Sequence, residues 1–183
     1  MSTSDRYRTL VLLRHAKSDY PSGVADHDRP LADRGIREAA LAGDWIRETL
    51  TAADEVDAVL CSTATRTRQT LEHSGITAPV QYVDRIYDST PGTVIDEINR
   101  ARSRFAGDIG DHGDLSTLLV VGHEPVMSFL ALNLADSKTC NGPVAQQISA
   151  KFPTSSIAVL RTTEPWDQLA LGSAELVGFH TAR

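Results

Sequence analysis

The stretch TLVLLRHAKS, residues 9–18, constrains this chain more than any other. After Thr9 come four aliphatic residues, Leu10 to Leu13, with no polar residue between them. A strand with one wet face alternates apolar and polar positions. A run without that alternation reads as a strand covered on both faces, the kind found in parallel sheets. The run also ends abruptly, because Arg14 and His15 follow at once and Lys17 comes two residues later. A guanidinium at the end of a buried strand is costly unless it is paired or solvated. That strand end therefore reads as a place where an anion is received.

The rest of the chain supplies the partners such a strand needs. Its 183 residues fit one domain, taken as residues 1–183, with a core that requires neither disulfide nor metal. Pro21 to Pro30 is loop-like. A helix is predicted from Asp33, with Ile36, Ala40, Gly43, Ile46 and Leu50 on one stripe. Val56 to Cys61 is a second short apolar run. Ser62 reads as the N-cap of a helix running to about His73 and stopped by Gly75. A third strand is predicted over Val80 to Val83 and a helix over Thr93 to Phe105. Leu118 to Val121 is a buried strand ending in Gly122-His123, and Pro125 suits the first turn of a helix to about Leu134. Residues 136–153 are the least regular stretch. Ile157 to Arg161 and Glu175 to Phe179 read as closing strands.

Strands alternating with helices predict an α/β fold of three layers, a mainly parallel sheet flanked by helices. Ligands of such sheets sit beyond the carboxyl ends of the strands. There the first strand delivers Arg14 and His15, the second Ser62 and Arg66, and the fourth His123. Arg66 falls one turn into its helix with Thr70 on the same face. The helix start offers free N–H groups to an anion, and the arginine fork offers bidentate contact with phosphate oxygens.

Other features carry less. The net charge of −6 disfavours nucleic-acid binding. Two cysteines, Cys61 and Cys140, form no C-x-x-C pair, which fits a reducing compartment. No apolar run is long enough for export or a membrane span, so a cytoplasmic protein is expected. His73, His112 and His180 read as structural. Asp26-His27-Asp28 resembles a metal motif on composition, yet three consecutive residues rarely face one ion. Four residues (Ser62 to Thr65) separate Cys61 from Arg66, one fewer than in the loop of cysteine-based phosphatases, and the loop here lacks glycine. Cys61 therefore reads as a buried strand end.

Three stretches, LLRHA (12–16), STATRTRQT (62–70) and VGHEP (121–125), together resemble the histidine phosphatase superfamily with its phosphoglycerate-mutase-like fold. Ala16 stands where most members have glycine. That departure, RPLADRG (29–35), FPTSSI (152–157) and the short chain resemble the SixA branch, which lacks a large cap domain. The resemblance implies that His15 is the nucleophile, forming a phosphohistidine enzyme that water hydrolyses. It implies that Arg14, Arg66 and His123 hold the phosphoryl oxygens. IYDST (86–90) corresponds to the region that carries the general acid elsewhere, making Asp88 the candidate, although it also reads as an ordinary aspartate before a Thr-Pro-Gly turn. Arg29, Lys17 and Ser18 line the phosphate's approach on this reading. No metal or cofactor is implied. The expected substrate is phosphohistidine on a phosphorelay or carrier protein. The alternatives are a phosphatase of small phosphomonoesters or anhydrides and a non-catalytic phosphoprotein-binding module. A monomer without nucleic-acid or membrane partners is expected.

Overall fold

The computed structural model describes residues 7–50, 55–109 and 114–183. The readings of residues 1–6 and of His112 lie outside these. The opening apolar run is strand β1 (Arg8–Arg14), with residues 9–13 all buried. β2 (Ala58–Ser62), β3 (Val80–Val83), β4 (Thr117–Gly122), β5 (Ser156–Thr162) and β6 (Glu175–Thr181) complete one sheet in the order β3-β2-β4-β1-β5-β6. The pairs β3–β2, β2–β4 and β4–β1 are parallel, whereas β5 is antiparallel to both β1 and β6. The two closing strands thus bend the mainly parallel plan at one edge only.

The unbroken apolar strands divide by alternation between two cores. Leu10, Leu12, Leu60, Leu118 and Val120 face one layer; Val11, Leu13, Val59, Leu119 and Val121 face the other. α1 (Asp33–Thr49) and α2 (Thr65–Ser74) cover the second core through Ala42, Ile46 and Leu71. The first is covered by α3 (Pro91–Asn99), α4 (Ala101–Arg104), α6 (Val126–Leu134) and α7 (Pro143–Ala150), with the short α5 (Ala106–Ile109) between α4 and β4. This is the expected three-layer α/β arrangement. No helix among the described residues is long and apolar enough to cross a membrane.

Three local expectations differ from the structure. Ser62 does not cap α2. It is the last residue of β2, paired with Val83, and the helix begins at Thr65, where the Thr67 hydroxyl lies 2.8 Å from the carbonyls of both Ser62 and Ala64. The helix expected over 93–105 is broken at Arg100 and Phe105. The break follows from tertiary demand: Asn99 turns to donate to the Trp166 and Leu169 carbonyls, and Phe105 is driven wholly into the core. The stretch 136–153 contains α7, launched by Gly142 and Pro143. Only Ala145 and Ile148 of α7 are buried, which is too sparse a stripe to read as a period.

One glycine decides how the segment after β1 is held. A Cβ on Gly35 would lie 2.0 Å from the Lys17 carbonyl oxygen. The first turn of α1 can therefore rest against the backbone just past His15 only because that residue is glycine. The Ala32 N–H donates to the same carbonyl at 2.9 Å.

Candidate active site

β1 and β4 are adjacent and parallel, with Arg14 opposite Gly122. The His15 N–H donates to the Gly122 carbonyl at 3.0 Å. The two chains therefore leave the sheet side by side, and the rings of His15 and His123 come to rest with centroids 5.4 Å apart. β2 lies on the other side of β4. Its terminal Ser62 places Oγ 2.8 Å from His123 Nε2. Thr70 ties α2 to the same rim: its hydroxyl donates to the Arg66 carbonyl at 2.6 Å and accepts the Ala16 N–H at 2.9 Å. On the antiparallel side, the Ser155 N–H donates to the His15 carbonyl at 3.1 Å. Three strand ends and one late loop thus converge on one imidazole.

The His15 ring has a defined tautomer. Its Nδ1 lies 2.7 Å from the Ala16 carbonyl. A carbonyl can only accept, so Nδ1 carries the proton and Nε2 keeps its lone pair. Burial lowers the His15 pKa to about 3. The Ala16 carbonyl opposes that shift, and His123, Arg66 and Arg14 reinforce it. His123 is lowered to about 4, by burial first and by Arg66 next.

Buried polar atoms normally find partners. Among the described residues, seven buried side-chain polar atoms have none, and Arg14 Nε, Arg66 Nε and His123 Nδ1 are three of them. A fourth, Ser155 Oγ, belongs to the residue that bonds the His15 carbonyl. Both arginines are fixed at their far ends instead. Arg14 Nη1 donates to the Phe152 carbonyl at 2.7 Å, and Arg66 Nη1 donates to the Asp26 carbonyl at 2.6 Å. Donors held by one end with another N–H unspent are suited to an oxyanion.

The family model of the histidine phosphatase superfamily (branch 1) matches residues 10–94. A solved structure from Nakamurella multipartitia, named as a candidate phosphohistidine phosphatase SixA, is 36% identical and covers 95% of each chain with a TM-score of 0.79. This chain belongs to the histidine phosphatase superfamily. The histidine phosphatase is also 58% identical over 171 residues to the uncharacterized Mycobacterium tuberculosis protein Rv1276c, covering 93% of this chain and all of that one. The structure of SixA complexed with tungstate, at 19% identity, shares the fold with a TM-score of 0.70, covering 95% of this chain and 97% of that one. The sheet, its flanking helices and the lack of a large cap among the described residues place this histidine phosphatase with the SixA-like structures.

The other residues singled out in this histidine phosphatase divide. Arg29 stands at the rim, its Nε donating to Asp26 Oδ1 at 3.0 Å and its guanidinium 3.9 Å from the exposed ring of Tyr20. Lys17 is exposed, 5.7 Å from the same ring. Ser18 is buried and bridged to Leu31, which holds the loop rather than facing outward. Asp88 follows Tyr87 directly. It is exposed, at φ +50°, and makes no side-chain hydrogen bond among the described residues. Its neighbour Tyr87 turns inward instead, ring edge to His123 at 5.5 Å and hydroxyl donating to Asp26 Oδ2 at 2.8 Å. Asp26 is not part of a metal cluster: its carboxylate meets Arg66, Arg29 and Tyr87, while His27 Nε2 turns to Thr63. Cys61 is fully buried with its pKa pushed up to about 12, so it is a thiol, not a nucleophilic thiolate. The sequence shows Asp26 within Asp26-His27-Asp28 but not the arginine and tyrosine partners of its carboxylate. Tyr87 carries no signal beyond its place next to Asp88.

The histidine shifts set a pH signature. Both folded pKa values lie below the free-imidazole value of 6.5, so the unfolded chain takes up these protons first. The stability they contribute is complete above pH 6.5 and drains away as pH falls toward 3–4. NMR of ring-labelled histidine should show His15 and His123 neutral and not titrating between pH 8 and 5. A midpoint near 6.5 for His15 would contradict its burial.

Proposed function

We propose that this histidine phosphatase removes phosphate from phosphohistidine on a protein, through a phosphohistidine intermediate on His15. Nε2 of His15 attacks phosphorus in line. The substrate's imidazole, protonated from water at its other ring nitrogen, leaves neutral as the P–N bond breaks and takes the bonding pair with it. Water then attacks the phosphoryl group on His15, giving inorganic phosphate and returning the electron pair to Nε2. Arg14, Arg66 and His123 hold the oxygens and stabilise the charge that develops. A proton on His123 Nδ1 is available when the Ser62 hydroxyl donates to Nε2.

The observation that carries the choice of substrate is the state of the carboxylates around the cluster. Asp26 is held below the usual carboxylate range by the Tyr87 hydroxyl and the Arg66 and Arg29 guanidinium groups, so it is ionised. Both Glu124 oxygens accept from Ser128, one from its N–H and one from its hydroxyl. Asp88 is exposed and makes no side-chain hydrogen bond among the described residues. None of these three carboxylates thus hydrogen-bonds into the cluster as a proton donor. An alkoxide needs such a donor, whereas an imidazole, whose ordinary pKa is ~6.5, leaves without one. The exposed rim around Tyr20 and Lys17 suits a histidine presented on a protein surface.

The test is a side-by-side panel of a phosphohistidine-bearing carrier protein, alkyl and sugar phosphates, nucleotides and p-nitrophenyl phosphate. The expected order places phosphohistidine first by at least tenfold in kcat/KM, with alkyl phosphates last. A preference for sugar phosphates or anhydrides would replace this reading with that of a small-molecule phosphatase. Binding of the phosphoprotein without turnover would make the protein a recognition module.

A further inference from the structure

The contacts of Asp26 go beyond closing a loop. Asp26 sits in a single 3₁₀ turn (Asp26–Asp28) between β1 and α1. Its carbonyl accepts from Arg66 Nη1 at 2.6 Å and its carboxylate Oδ2 from Arg66 Nη2 at 3.1 Å. The same residue therefore takes both terminal nitrogens of one guanidinium. Oδ2 also accepts from the Tyr87 hydroxyl and Oδ1 from Arg29 Nε. The turn is fastened a second time by His27, whose Nε2 lies 3.0 Å from Thr63 Oγ1 and whose ring stands edge-on to Tyr87 at 4.8 Å.

A guanidinium has five N–H donors in a rigid plane. Asp26 takes the end-on edge of Arg66, across Nη1 and Nη2. The side-on edge, which includes Nε, is left, and that Nε is buried without a partner. The Arg66 side chain is 7% exposed and that of Asp26 is 59% exposed. The buried partner is thus steered by one that stands at the opening. Arg14 shows the same pattern, with its Nη1 held by a carbonyl and its Nε unpaired.

We propose that Asp26 is a positioning residue, which fixes the orientation of Arg66 so that the Nε edge is presented to a tetrahedral oxyanion, with Tyr87 and Arg29 fixing Asp26 in turn. It acts through Arg66 and takes no part in proton transfer. The inference rests on the phosphatase reading for its consequence in catalysis, but not for its consequence in anion binding.

The test measures both. Tungstate binding by calorimetry needs no turnover, and steady-state kinetics on p-nitrophenyl phosphate and on an alkyl phosphate reads the reaction. Asp26→Asn is isosteric but puts an amide N–H among three converging donors; Asp26→Ala removes the carboxylate. Each should weaken tungstate binding and lower kcat/KM by about 10–100-fold, as expected when a binding group is misplaced. The melting temperature should stay within a few degrees of wild type, because the residue is exposed. Tyr87→Phe, which keeps the ring against His123, should move both readouts in the same direction by less. In an Arg66→Ala background, Asp26→Ala should cause no further loss, since nothing remains to orient and the carboxylate left uncovered goes with it. Tungstate binding as tight as wild type or tighter would overturn the proposal and make Asp26 a competitor for the anion. So would full additivity with Arg66→Ala, or a loss confined to the alkyl ester, which would assign Asp26 to proton donation. A wild-type protein that binds tungstate but hydrolyses nothing would sink the phosphatase reading alone, and the binding arm would still decide the role of Asp26.

Discussion

Protein carrying His15→Ala retains the fold and loses turnover by at least about 10³–10⁴-fold, the scale seen when a covalent nucleophile is removed. The loss follows from where the ring sits. Nδ1 is committed to the Ala16 carbonyl, Nε2 alone is available, and burial keeps the ring neutral. The fold is expected to survive because the residue's structural bonds are main-chain bonds, N–H to Gly122 and carbonyl from Ser155, which alanine keeps. The decisive measurement pairs steady-state rates with alkaline detergent quench of protein exposed to labelled phosphohistidine substrate. Wild type should trap alkali-stable, acid-labile label on His15 and the variant none. Comparable rates, or label on another residue, would remove His15 from the chemistry.

Arg66→Ala is expected to lower kcat/KM by about 10²–10³-fold, the usual scale for loss of one preorganised oxyanion donor. The upper end is favoured by what remains. Without Arg66, the Asp26 carboxylate loses its buried partner and stands near the approaching phosphate with only Arg29 and Tyr87 to balance it. The substitution therefore subtracts a cation and uncovers an anion together. Arg66→Lys should recover less than tenfold of the loss. An ammonium cannot meet Asp26 with one edge and an oxyanion with another. Kinetics of the two variants, with circular dichroism to confirm folding, check this, and a lysine variant near wild-type activity would show that charge alone suffices there.

Much of this arrangement was legible before any coordinates. The unalternating run over 9–13 specified a strand covered on both faces, and the strand ends named His15, Arg14, Arg66 and His123, which the structure brings together. What stayed hidden depends on tertiary contact. The tautomer of His15 is set by the carbonyl of the next residue, and the hold on Arg14 by a carbonyl 138 residues away. Backbone acceptors leave no mark in a sequence. Asp26 looked like part of a metal motif because composition does not show that a carboxylate will be shared by two arginines and a tyrosine. Asp88 stands after the third strand, where the resemblance puts a general acid; it is exposed at φ +50°, and the ring that meets His123 is that of its neighbour Tyr87. The helix α7 went unseen because two buried residues do not make a stripe.

The two arginines are unequally exposed to genetic change. Arg14 is secured by an oxygen that every amino acid at position 152 would supply, so drift at that position is tolerated so long as the chain keeps its path. Arg66 draws one of its two anchors from a carboxyl group that a single codon change can erase. Variation accumulating among descendants of this chain would accordingly loosen the grip from α2 before it touched the grip from β1.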